Sequence, residues 1–173
     1  VIASPGGAGD ELWRFSLAVY AAPGVASHCV DLQDRCGADV NLLLAAAWVG
    51  ASGRGMIATG DLASLDRTVG PLRRAVVEPL RAVRRWLKPV AGHGDDGGLG
   101  DLRARIKALE LEAERCVQAR LAALLAPRPV IDPSTLRLVA ASRNVETYLR
   151  HLGAAASAGP LIPAIEAWIC QRI

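Results

Sequence analysis

DVNLLLAAAWVG, residues 39–50, is apolar on almost every side of a helix. A helix that is hydrophobic all round belongs in the interior of a protein. Val40 to Val49 is therefore expected to be the central helix of an all-α fold. Asp39 stands where that helix needs an N-cap, with a side-chain oxygen for the unpaired N–H groups of the first turn. The clean apolar run, Leu42 to Ala51, is about half of what a bilayer span needs, so it reads as core and not as a membrane segment.

On its N-terminal side, Gly37 supplies a helix stop, and the preceding helix runs back to Pro23, a residue suited to a first turn. Ala22-Pro23-Gly24 separates it from a first helix, Asp10 to Tyr20, which carries Leu12, Trp13, Leu17 and Tyr20 at helical spacing. Residues 1–9, rich in glycine and alanine, are expected to be a flexible N-terminus; without a basic start or an apolar stretch they do not read as a signal peptide. On the other side, Gly50 to Gly60 holds four glycines and reads as a loop. Asp61 opens another helical stretch, punctuated by Gly70-Pro71. Pro71 to Lys88 then reads as one amphipathic helix, kinked at Pro79. Residues 91–100, including GHGDDGGLG, form a glycine-rich loop expected to be flexible. Helices from Asp101 to Ala126, Ser134 to Leu152 and Leu161 to Arg172 complete the chain. The expectation is a single helical domain, 10–173, built as a bundle of about six to eight helices.

Composition agrees with this reading. Among 173 residues there is one phenylalanine and there are two tyrosines, whereas alanine, leucine and arginine abound. Those are strong helix formers, and the residues that favour strands are scarce. Half of the chain is apolar, enough for a core without cross-links. Four cysteines, Cys29, Cys36, Cys116 and Cys170, lack CxxC spacing. Cys29 and Cys36 lie roughly 10 Å apart along a helix, too far to bridge, and all four are expected to be reduced in a cytoplasmic protein. The tryptophans, Trp13, Trp48, Trp86 and Trp168, are expected to anchor the core, each with a partner for its indole N–H.

The net charge of +3 is modest, but its distribution is not. Between Arg67 and Lys88 there are seven cations and one anion, so the remainder of the chain is net negative by three. On a regular helix Arg73, Arg74, Arg81, Arg84, Arg85 and Lys88 fall within an arc of roughly 120°. Leu72, Ala75, Val76, Leu80, Val83, Trp86 and Leu87 lie opposite. Like charges in one stripe repel, so something should offset them. Two readings stand side by side. In one, the acidic helix bearing Glu110, Glu112 and Glu114 neutralises the stripe, with Leu102, Ile106, Leu109, Ala113 and Val117 as its apolar seam. In the other, the basic face meets an anionic partner: an acidic protein, a phosphorylated molecule or nucleic acid. The arc has no aromatic to stack on bases, which weakens the nucleic-acid reading. Membrane-surface binding is not expected, because the apolar side is needed for the core.

Gln33, Asp34, Asp39 and Asn41 gather around the turn at Gly37 and form a candidate polar site. Two carboxylates near a turn can hold a hard cation, yet Asp39 as a helix cap accounts for much of the pattern. His28, His93 and His151 have no metal-ligand spacing. No serine sits in a nucleophile elbow, and no glycine loop has a phosphate-cradle pattern. No catalytic residue, cofactor or metal is expected.

Several blocks occur together in an unusual order: Leu12-Trp13, Phe15-Ser16-Leu17, Tyr20, Pro23-Gly24-Val25, Leu32-Gln33-Asp34, Gly37 to Leu44 with Trp48, Val76 to Arg81, and Lys107 to Arg115. In these the chain resembles a proteobacterial family known only as a domain of unknown function, over about residues 11–125. The family carries no established activity, so the resemblance implies no chemistry. It does imply that the basic and acidic helices come as a package. A tryptophan common in the family is replaced here by Leu72. The leading expectation is a non-catalytic adaptor or regulatory module that uses the basic face to bind an acidic protein; an enzyme or ligand-binding bundle for an anionic small molecule is the alternative. Oligomeric state is left open.

Overall fold

A computed structural model describes residues 7–88, 98–130, 134–154 and 157–171. Among these the chain is helical, with α1 (Ala8–Tyr20), α2 (Val25–Cys36), α3 (Val40–Ala51), α4 (Thr59–Leu72), a π-helical turn (Arg73–Val77), α5 (Glu78–Leu87), α6 (Leu99–Leu125), α7 (Ser134–His151) and α8 (Leu161–Cys170). The all-α bundle expected from composition is what forms. No described helix is long and apolar enough to cross a membrane. Most of the glycine-rich segment 91–100, and residues 1–6, lie outside the described residues.

The chain divides into two compact units, one of Val1–Asp66 with Gln118–Ile173, the other of Arg67–Val117. In the first unit α3 is the axis, with every residue from Asn41 to Ala51 buried. Its start follows from Asp39, whose Oδ1 accepts from the N–H groups of Asn41 (2.8 Å) and Leu42 (3.4 Å). The preceding helix ends at Gly37, left-handed at φ 67°, and the Ala38 N–H reaches back to the Leu32 carbonyl as in a Schellman cap. α2 begins at Val25 and not at Pro23, because Gly24 takes a left-handed φ of 79° that no helix can include. α1 begins at Ala8, so Asp10 sits in its first turn and Gly7 takes the cap position.

α3 packs closely on α7. A Cβ on Gly50 would lie 2.2 Å from the backbone nitrogen of Ala141, so hydrogen at this position is what lets the two backbones meet. On the other flank α1 packs on α8, where Phe15 and Trp168 meet edge to face with centroids 4.9 Å apart. Trp48 is fully buried, and the Arg54 guanidinium stacks 4.5 Å from its ring centroid. Its Nε1 has no hydrogen-bond partner among the described residues, contrary to the expectation for a buried indole.

Buried polar groups tie this unit together. Asn144, 1 % exposed, donates from Nδ2 to the carbonyls of Ala46 and Gly55, each at 3.1 Å, and accepts from the Ile57 N–H at 2.9 Å. One side chain thus pins the loop between α3 and α4 onto the core. Truncation to Asn144→Ala leaves buried backbone groups without partners, which costs about 1–3 kcal/mol. Urea denaturation is expected to show that loss, and hydrogen exchange at the Ile57 amide is expected to speed up more than exchange within α3.

Candidate functional site

The excess positive charge lies in the Arg67–Val117 unit. The helix expected to start at Pro71 is longer than expected: α4 runs through Pro71, and the helical path continues through the π turn into α5. In the π turn the Glu78 N–H donates to the Arg73 carbonyl, five residues back. Pro79 explains the location, since its ring collides with the carbonyl four residues earlier in a regular helix and it has no N–H to donate. A π turn holds an additional residue relative to an α turn. That residue turns the two segments by about 100° relative to one another, which keeps Arg73 in line with Arg81, Arg84, Arg85 and Lys88 and carries Arg74 away from them. The single arc of six expected for a regular helix does not form.

The six cations divide accordingly. Arg73 pairs with Glu78 at 3.3 Å. Arg81 donates from Nε to Glu110 Oε1 at 3.1 Å and from Nη2 to Glu114 Oε1 at 2.7 Å. Arg84 donates from Nε to Glu110 Oε2, and from Nη2 to Glu110 Oε1 at 3.2 Å. Glu110 is 6 % exposed. Burial alone pushes its carboxyl up, but hydrogen bonds from Arg84 and Arg81 and their positive charge outweigh that, leaving it below the ordinary carboxylate range. Burial would likewise lower Arg81, and the two glutamates instead hold it above its usual value. Arg74, Arg85 and Lys88 are exposed, as is Glu112.

The apolar side expected for this helix is only partly turned inward. Val77 and Leu87 are buried, at 1 % and 2 %, but Trp86 is 68 % exposed, Val83 46 % and Val76 36 %. Trp86 is not a core anchor. With Arg81 and Arg84 directed at α6, the indole lies on the far side of α5. The expected seam of α6 is displaced in the same way. Leu102 and Leu109 are exposed, Ile106 and Ala113 are half-buried, and Val117 is buried. Trp13 is half-buried, while Trp48 and Trp168 are in the core.

The polar residues around Gly37 do not present a common site. Gln33 is half-exposed and Asp34 exposed on α2. Asp39 and Asn41 are buried. The Asp39 carboxylate caps α3, its N–H donates to the Tyr148 hydroxyl at 2.7 Å, and that hydroxyl donates back to the Asp39 carbonyl at 3.2 Å. Asn41 Oδ1 accepts from Gln118 Nε2 at 2.9 Å. Gln118, Asn144 and Tyr148 are therefore buried polar residues, beside Ser16 and Ser52, that the expected polar site did not include. Their signal was a polar side chain at a position that helical spacing assigns to the core. No group of three His, Cys, Asp or Glu residues among those described can hold a metal ion. Burial pushes the Cys29 thiol up to about 11, so it is protonated and inert at neutral pH. His28 donates from Nε2 to the Ser157 carbonyl at 3.0 Å, which ties α2 to the segment before α8.

Comparison with known proteins yields one family. A family profile described as "Protein of unknown function (DUF2390)" matches residues 11–121. Neither the curated proteins nor the solved structures contain a match.

Proposed function

The chain belongs to the DUF2390 family, proteins of unknown function, and from that starting point we propose that it is a non-catalytic helical adaptor that binds an acidic protein through the outer side of α5. The observation that carries this reading is the exposure of Trp86, at 68 %, on the helix that holds the excess positive charge. Val76 and Val83 extend the apolar strip, and Arg74, Arg85 and Lys88 lie exposed beside it. Exposed tryptophan with arginine is the composition of an interface hot spot. The contact differs from the one composition suggested: Arg81 and Arg84 serve the internal cluster, and the partner meets the indole and the outer cations. Gln33, Asp34, Asp39 and Asn41 take no part. A cytoplasmic location belongs to the same reading, supported by four free thiols.

The test places a photo-crosslinking residue at position 82, beside Trp86 on the helix surface, in cells of the native host. One crosslinked protein is expected, with an acidic contact segment. Trp86→Ala is expected to reduce its yield at least tenfold, about 1.4 kcal/mol, and reversal of Arg85 and Lys88 to glutamate is expected to reduce it further. Circular dichroism should be unchanged in both variants. A yield unaffected by Trp86→Ala would remove the proposal. An exposed indole next to cations also favours a second reading, single-stranded nucleic acid stacked on Trp86. That reading requires retention on a polyanion column which weakens steeply with salt and is lost in Trp86→Ala.

A further inference from the structure

We propose that α6 pairs antiparallel with α6 of a second copy of this chain. The inference concerns a different helix surface from the α5 strip and does not rest on it.

The starting observation is a heptad pattern on the exposed side of α6. Leu102, Ile106, Leu109 and Ala113 recur with alternating steps of four and three, the spacing of paired helices. Leu102 is 42 % exposed and Leu109 53 %, with Ile106 and Ala113 half-buried at the edge. One flank of this seam is taken up within the chain itself, since Glu110 is held by Arg81 and Arg84 and Val117 is buried. The other flank carries Arg105 and Glu112, seven residues apart and both exposed.

Charge then selects both direction and register. A parallel pair would bring the exposed flank of one helix against the flank that carries Glu110, which is already engaged. In an antiparallel pair the two like flanks meet each other, so Arg105 and Glu112 face the same flank of the second copy. With the two-fold axis between Lys107 and Ala108, Arg105 of each copy meets Glu112 of the other. The apolar layers are then Leu102 on Ala113, Ile106 on Leu109, and their two symmetry equivalents. Each layer pairs a larger side chain with a smaller one or two of middle size. Sliding by one heptad in either direction sets Arg105 beside Arg105 or Glu112 beside Glu112. Both slipped registers bring like charges together, and the central one does not.

Two measurements test the pairing on the full chain. The first is cross-linking in a background with Cys116 and Cys170 replaced by serine. Leu102→Cys and Ala113→Cys variants, each prepared alone, are mixed under oxidising conditions. A disulfide dimer is expected in the mixture, at least tenfold above either variant alone. The second is sedimentation equilibrium. Arg105→Glu is expected to raise the dimer dissociation constant at least tenfold, and Arg105→Glu combined with Glu112→Arg is expected to restore it. A chain that stays monomeric up to several hundred micromolar overturns the proposal. So does a dimer that is indifferent to the charge exchange, or a mixture that forms no additional disulfide. Circular dichroism of each variant distinguishes lost pairing from lost folding.

Discussion

Gly50→Ala is expected to unfold the first unit or to cost it about 3 kcal/mol or more, above the usual range for an added methyl group. The reason is what the methyl would strike. It would lie 2.2 Å from Ala141 N, 2.4 Å from Ala141 Cα and 2.5 Å from the Ala140 carbonyl carbon, all backbone, none of which can rotate aside. Relief requires α3 and α7 to separate, and α3 is the helix whose residues from Asn41 onward are all buried. Moving it disturbs the whole core of the unit. Gly60 supplies the control. It lies within α4, and a Cβ there meets nothing within 4 Å. Gly60→Ala is expected to be neutral or to stabilise by about 0.4–1 kcal/mol. Chemical denaturation of the two variants against wild type reads the difference. Equal stability of Gly50→Ala and Gly60→Ala would show that the α3–α7 contact is looser than described.

The second large effect is expected at Glu110. Its side chain is 7 % exposed, with Arg81 at 17 % and Arg84 at 24 %. Glu110→Ala leaves two guanidinium groups largely buried beside each other, with Glu114 still bonded to Arg81. Removing one partner of a buried ion pair costs about 3–5 kcal/mol; residual hydration of the arginines brings the expectation here to about 2–3 kcal/mol. The acid limb supplies a separate reading. Because the folded-state pKa of Glu110 is depressed, its contribution is complete above the unfolded value of about 4.3 and is lost as pH falls through the folded one. Stability measured between about pH 2 and pH 5 should therefore fall more steeply in wild type than in Glu110→Gln. Replacing Arg81, Arg84 and Glu110 together by methionine, methionine and leucine should restore most of what Glu110→Ala loses, since apolar groups of similar volume carry no desolvation penalty. Identical acid limbs in wild type and Glu110→Gln would show that the carboxylate does not hold these helices.

How far the sequence foretold these features depends on how local each cause is. Asp39 and Gly37 act within a turn of their own position, and the cap and stop appear where residue type places them. The central position of α3 follows from its own composition. By contrast, Pro71 looked like a helix start because a proline in a first turn costs nothing, yet α4 passes through it. Pro79 looked like a kink, and the chain instead absorbs it with a π turn, which periodicity at a fixed angle cannot represent. The pairing of Arg81 and Arg84 with Glu110 was one of two readings open from charge alone. The orientation of Trp86 was hidden for a related reason. An amphipathic pattern identifies two sides of a helix but does not say how much of each is turned inward, and here Arg81 and Arg84 take inward positions while Trp86 and Val83 stay out. Gly50, placed in a glycine-rich loop by composition, is part of α3 because the space it leaves is used by α7.

The ion pairing between α5 and α6 also sets how they respond to heat. Apolar attraction levels off on warming, whereas the cost of stripping water from charged groups keeps declining as temperature rises. The hold of Arg81 and Arg84 on Glu110 therefore gains relative weight on warming, while the contact of α3 with α7 follows the hydrophobic curve. One polypeptide thus combines two thermal profiles, and its last helices to fray in the heat need not be those with the driest core.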